Sequence, residues 1–288
     1  MVKLIIYGAS ESGQKLFKDF STPPNSAQYT VLCFCDGNPA LWGKAISDIP
    51  VISPKQVSEY EYDRIVIASL TGKLEISYDL LHKYAVPPHK IDTSHIDYFF
   101  KAREVFCLHQ SEIIYSKKLR GNVAEAGVAH GDFAKYINAY FPDRRLYLFD
   151  TFTGHDARDF EIERSLNTTA TFSIEDSKRY ATSVDAVKAC LPYPLQADFR
   201  VGYFPETTAG IEDEFVFVSV DMNLYAPTKA ALQYFYPRMV KGGVIVCHDY
   251  FSWDVEPGAH IAIDEFCAES GVGCIAIGDR MSVAIIKQ

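Results

Sequence analysis

Short apolar runs alternate with longer amphipathic stretches along most of this chain. Residues 3–8 (KLIIYG), 31–35, 64–69, 123–128, 144–150 (RRLYLFD) and 215–222 (FVFVSVDM) are runs of the length and apolar content of strands covered on both faces. Between them, apolar residues recur at helical spacing. Leu16 and Phe17 follow the first run, and Phe133, Ile137, Tyr140 and Phe141 share one face after the fourth. Val184, Val187 and Leu191 mark a short helix beginning at Thr182 or Ser183, and a further helix enters at Pro227 and carries Ala230, Ala231 and Tyr234. Strand and helix in alternation predict an α/β fold with mostly parallel sheets. Residues 50–52, 200–204 and 244–247 complete the expected strands, with a helix over 258–269. At the end, strands at 274–277 and 281–286 flank a tight Gly278-Asp279 turn, an antiparallel hairpin.

The pattern breaks twice. Pro87-Pro88 closes a first region, 1–94, expected to be a small Rossmann-like domain of nucleotide-binding type. Residues 95–120 read as a helical connector, with Ile96, Phe99, Phe100, Phe106, Ile113 and Ile114 packing on both sides. Residues 121–288 form the second domain. Its polar stretch 151–180, with the run Asn167 to Thr171, has the length and composition of a lid or binding loop.

Candidate chemistry gathers at strand ends. In the first domain, Gly8-Ala9-Ser10-Glu11-Ser12-Gly13 lacks the middle glycine of a dinucleotide fingerprint, and Asp36 ends the second strand where a ribose-binding acid would sit. This supports either a nucleotide or nucleotide-sugar site or a scaffold without ligand. In the second domain, Glu125 precedes Gly127 and Gly131 in a strand–turn–helix unit that presents backbone N–H groups. The next strand ends at Asp150, whose carboxylate suits two neighbouring ribose hydroxyls. Gly202, Tyr203 and Phe204 stand where they would flank an adenine or pack in the core.

The composition is that of an ordinary globular protein, with 48% apolar and 23% charged residues. A net charge of −9 opposes binding to nucleic acid or to anionic membrane surfaces. No apolar run approaches the roughly 20 residues of a membrane span, and the N-terminus reads directly into a strand. Seven scattered cysteines, an odd number, favour reduced thiols, and a cytoplasmic protein is expected.

Five segments in order, GNVAEAGVAHGDFA, YLFDTFTG, GYFPET, VDMNLYAPTKAAL and PRMVKGGVIVCHDY, resemble the macrocin O-methyltransferase family. The likeness covers residues 121 to about 266. It implies a class I S-adenosylmethionine methyltransferase fold, a mostly parallel seven-stranded sheet closed by an antiparallel hairpin. The first domain is similar, through YGASESG, CDGNPALWGK and IPVISP, to N-terminal domains of sugar-modifying enzymes.

Carried over by position, the resemblance implies that Glu125, Gly127 and Gly131 meet the methionine end of the cofactor. Asp150 then holds the ribose beside Thr151 and Phe152, and Asp221 also faces the cofactor. Asp221, His248 and Asp249 take the positions of a magnesium-binding set. Two departures matter: Asn223 replaces a common acid, and His248 replaces a carboxylate. Magnesium prefers oxygen, so the imidazole points to another divalent metal or to a metal-free site. In the latter case His248 is a base, and His155, beside the TFTG turn, is a second candidate. The expected activity is methyl transfer to a hydroxyl of a sugar or glycoconjugate by an enzyme expected to be a homo-oligomer. A small phenol, carboxylate or amine as acceptor, a non-catalytic binding protein and a dehydrogenase are the alternatives.

Overall fold

The computed structural model describes residues 1–69, 72–166, 174–251 and 257–288, apart from the side chains at 74, 98–100, 176 and 257. The expected lid run Asn167 to Thr171 and the side chains of Phe99 and Phe100 lie outside the described residues. The chain divides into two compact units, Met1–Phe100 and Lys101–Gln288.

In the first unit, β1 (Val2–Tyr7), β2 (Tyr29–Cys35), β3 (Ala45–Ile46), β4 (Ile49–Ile52), β5 (Arg64–Ile67) and β6 (Ile91–Asp92) form one sheet in the order β3-β4-β2-β1-β5-β6. All pairings are parallel except β3 with β4. Period two divides the strand residues between faces. Leu4, Ile6, Phe34 and Val66 bury one way, and Ile5, Tyr7, Cys33, Cys35, Ile65 and Ile67 the other. Helices α1 (Glu11–Ser21) and α2 (Lys73–His82) belong to this unit, and α3 (Ser94–Ser116) runs through the boundary. Ile96 lies in the first unit's core, whereas Cys107 and Ile114 lie in the second's. Ile113, read as part of the packing face, is 40% exposed.

The second unit holds β7 (Asn122–Ala126), β8 (Leu146–Asp150), β9 (Ala197–Val201), β10 (Phe215–Val220), β11 (Met239–Cys247), β12 (Cys274–Ala276) and β13 (Val283–Ile286). Their order is β12-β13-β11-β10-β7-β8-β9, and only β13 runs against its neighbours. This is the expected seven-stranded sheet with its closing hairpin. The remaining helices are α4 (Ala134–Tyr140), α5 (Ala157–Ser165), α6 (Ile174–Ser177), α7 (Val184–Cys190), α8 (Tyr225–Phe235) and α9 (Pro257–Ser270). β10 is buried along its whole length, as its continuous apolar sequence requires.

Several elements differ from expectation: β3, β6 and α2 are not among the expected elements, and α6, like α5, falls in the stretch read as loop. The strand expected at 200–204 is Ala197–Val201, and at Gly202 the chain turns away with φ +136°. Helix α5 lies within the stretch read as loop, capped by the Asp156 side chain accepting from Arg158 N at 2.9 Å.

No described helix is long and apolar enough to cross a membrane. All seven cysteines are free; Cys33, Cys35, Cys107 and Cys247 are buried. Cys190 is exposed, and Cys267 and Cys274 are half-buried.

Candidate active site

From β7 the second unit builds outward to β8 and β9, then crosses back to β10 and β11 on the other side. The reversal leaves a crevice beyond the C-terminal ends of β7 and β10, where open α/β sheets take their ligands. Backbone conformation shapes it first. Gly127 has φ +86°, and a Cβ there would stand 1.9 Å from the Asp221 carbonyl oxygen. Only glycine allows the two strand ends to approach this closely. Val128 N and Ala129 N then donate to Asp150 Oδ2 at 2.7 and 2.9 Å, and Phe152 N donates to Oδ1 at 2.7 Å. The acid at the end of β8 thus organises the turn that follows β7. A carboxylate offers about four lone-pair sites, so three such bonds leave one acceptor position.

Behind the crevice, Glu125 on β7 and Ser219 on β10 are register partners. Buried over them is Arg103 of α3, a residue the sequence reading passed over as part of the connector. Its Nη1 donates to Asp221 Oδ2 at 2.8 Å, and its Nη2 donates to Ser219 Oγ at 2.8 Å. Nη2 also stands 3.9 Å from Glu125 Oε1, and the guanidinium lies 3.9 Å above the Phe133 ring. A signal existed: an arginine among the apolar positions of a helix destined for a core is either paired or wrongly placed. Burial raises the Glu125 carboxyl well above the usual carboxylate range, and the charge of Arg103 offsets this only in part. Glu125 Oε2 is buried without a hydrogen-bond partner among the described residues.

At the ends of β10 and β11, the three predicted metal ligands do converge. His248 Nδ1 lies 2.7 Å from Asp249 Oδ1 and 3.2 Å from Asp221 Oδ1. One donor atom from each of the three residues lies within 4.8 Å of the other two. Asp249 takes φ +61° and Asn223 φ +61°, left-handed positions that Asp and Asn tolerate better than most residues. Burial alone would raise Asp221, but the charges of His248 and Arg103 hold it well below the usual carboxylate range. Burial alone would lower His248, but the carboxylates of Asp221 and Asp249 raise it well above the usual histidine range.

The set fits a divalent cation. Two carboxylates and one imidazole are ligands for a borderline metal, and the buried Asp249 Oδ2 has no partner among the described residues. Arg103 engages only Oδ2 of Asp221, which leaves Oδ1 facing the group.

The second departure, Asn223, has a counterpart. His155 Nε2 stands 3.2 Å from Asn223 Oδ1, an arrangement that places a proton on Nε2. Burial lowers the His155 pKa, with the Asn223 hydrogen bond only partly opposing it. Other predicted residues serve the frame around the crevice. A Cβ on Gly131 would meet Val187 Cγ1 at 2.9 Å and Cys190 Sγ at 3.0 Å, so this glycine lets α7 pack on the turn. Thr151 Oγ1 donates to the Gly154 carbonyl, and Phe152 is in the core. Gly202 N donates to Asp150 O at 2.9 Å. Tyr203 donates to Asp159 Oδ1 at 2.8 Å, with the Arg158 guanidinium 3.7 Å over its ring.

A glycine turn, an acid-tipped second strand and a closing hairpin in this strand order define a class I S-adenosylmethionine-dependent methyltransferase. Residues 106–279, more than half of the chain, match the macrocin-O-methyltransferase (TylF) family model, and the chain belongs to that family. It is an O-methyltransferase. Residues 1–92 match a second model, the C2185-like N-terminal domain. Among solved structures, the O-methyltransferase NovP is 20% identical with a TM-score of 0.53, over 76% of this chain and 100% of that one. The calicheamicin methyltransferase CalS11 is 19% identical with a TM-score of 0.51, over 75% of this chain and 91% of that one. Both likenesses concern the fold. A search of curated protein sequences finds no match.

Proposed function

We propose that the protein methylates a hydroxyl of a sugar or glycoconjugate, with Asp221, His248 and Asp249 holding a divalent cation beside the cofactor. The observation that carries the reading is the convergence of these three side chains at the mouth of the β7–β10 crevice. Methyl transfer from a sulfonium is an in-line displacement, and a sugar hydroxyl is a poor nucleophile until its proton leaves. A bound cation would lower the pKa of a hydroxyl at this place.

The chain's own residues supply the rest. Asp150 keeps an acceptor position for the ribose. Glu125 Oε2, buried and without a partner among the described residues, offers an acceptor to the cofactor's ammonium group, whose charge would draw the raised Glu125 pKa back down. In the geometry of the free chain, His248 Nδ1 lies between two carboxylates, which favours a proton there and removes it as a base near neutral pH. His155 is kept neutral by burial, but its Nε2 proton faces Asn223 and its Nδ1 is buried, so the cation, and not a histidine, is proposed to ease loss of the acceptor's proton.

Methyl transfer from S-adenosylmethionine to a panel of glycosides, with and without EDTA, tests this reading. Transfer is expected to be lost in EDTA and restored by a divalent cation, better by Mn2+ or another metal that accepts an imidazole than by Mg2+. Asp249→Ala is expected to lower kcat by roughly a hundredfold or more, the order seen when one electrostatic contact to the reacting group is removed. Full activity in EDTA would reject the cation.

A further inference from the structure

The first unit has a cavity of about 450 Å³ that the methyltransferase chemistry does not use. Its walls include Gly8, Asp36, Ser53 and Ser69, residues just beyond the C-terminal ends of β1, β2, β4 and β5. From β1 the chain builds outward through β2 to β4, then returns to β5 on the other side of β1. The cavity therefore stands at the switch point of this sheet, the place where α/β folds bind ligands.

Its chemistry excludes the ligand that the glycine motif suggests. A Cβ on Gly13 would stand 1.8 Å from the Gly8 carbonyl oxygen, so Gly13 serves the packing of α1 on β1. The middle glycine is Ser10, and the Ala9 N–H is already donated to Asp36 Oδ2 at 2.8 Å. The cavity is lined by Asp36, Glu75 and Asp79 against Lys55 and Lys83, three carboxylates to two ammonium groups. Lys83 is itself paired with Asp79 at 3.1 Å. This is a poor surrounding for a pyrophosphate.

What remains favours hydroxyl groups. Tyr7 is only 6% exposed, yet it lines the cavity, and among the described residues nothing hydrogen-bonds its hydroxyl. Trp42 Nε1 donates to the Asp36 carbonyl oxygen at 2.7 Å, which holds a 38%-exposed indole at the cavity wall. Carboxylate and phenol accept or donate to hydroxyls, and an aromatic face takes the apolar face of a sugar ring.

We propose that this cavity binds a neutral, hydroxyl-rich ring, a glycosyl or ribosyl group, and does not bind a dinucleotide. The proposal is independent of the methyl-transfer reading.

Saturation-transfer NMR on the full chain tests it without S-adenosylmethionine, so that no methyl transfer occurs, and variants at Trp42 and Tyr7 separate binding in this cavity from binding at the acceptor site of the second unit. The probes are the methyl pyranosides of glucose, galactose, mannose and rhamnose for the glycosyl arm, uridine for the ribosyl arm, and NADH as the dinucleotide. At least one glycoside or uridine is expected to bind. Trp42→Ala should weaken that binding about tenfold, and Tyr7→Phe about threefold to tenfold, the loss of one hydrogen bond. Binding of none of these sugars, binding unchanged in both variants, or tighter binding of NADH would overturn the proposal.

Discussion

Arg103 places one positive charge among Asp221, Glu125 and Ser219, and it does so from a helix that begins in the other unit. Replacing one partner of a buried ion pair leaves the other uncompensated, typically at about 3 kcal/mol or more. Arg103→Met is therefore expected to lower the unfolding free energy by about 3 kcal/mol, read by urea denaturation. Arg103→Lys keeps the charge but cannot make the same planar set of bonds, so it should fall between the two. Glu125 gives a pH dependence. Its folded-state pKa is raised above the ordinary 4.5, so the folded protein holds this proton more tightly than the unfolded chain. The resulting stability is complete below about pH 4.5 and is lost progressively as the pH rises from there towards the folded value. Glu125→Gln, which cannot ionise, should flatten that decline in melting temperature. An unchanged pH profile would show that Glu125 is charged in the folded state.

At the scale of elements, helix α5 depends on buried acids. Glu163 Oε2 accepts from Tyr225 N at 2.9 Å at the start of α8. A Cβ on Gly258, near the start of α9, would stand 2.2 Å from both Glu163 carboxylate oxygens. Gly258→Ala must displace this buried carboxylate, and a loss of about 1–3 kcal/mol is expected in thermal or chemical unfolding, the cost of an unsatisfied buried group.

The same feature explains why α5 was not legible in the sequence. Asp159 and Glu163 face inward with Phe160, so the buried side of the helix carries charges where periodicity looks for apolar residues. Arg103 was hidden for the same reason. The strands β7, β8, β10 and β11 were legible because both their faces are buried, and with them the positions of Asp150, Asp221, His248 and Asp249. β9 is an edge strand of half-buried residues, and the aromatic pair Tyr203–Phe204 beyond it drew the expected strand too far along the chain.

Across the whole molecule, one device occurs in both units. The acid ending the second strand accepts backbone N–H groups from the turn after the first: Asp36 from Ala9, and Asp150 from Val128 and Ala129. In the first unit the surrounding cavity favours a neutral ring. In the second, Asp150 keeps one acceptor position, which we assign to the ribose of the cofactor. Methyl transfer depends on the second. Calorimetric titration of S-adenosylmethionine into the full chain, with and without Mg2+, tests it most directly, with Asp150→Ala as the site control. Binding is expected at one site per chain under both conditions, weakened roughly tenfold to a hundredfold in Asp150→Ala, in keeping with about 1.5–3 kcal/mol for hydrogen bonds to a charged group. No binding under either condition, or equal binding by Asp150→Ala, would contradict this assignment.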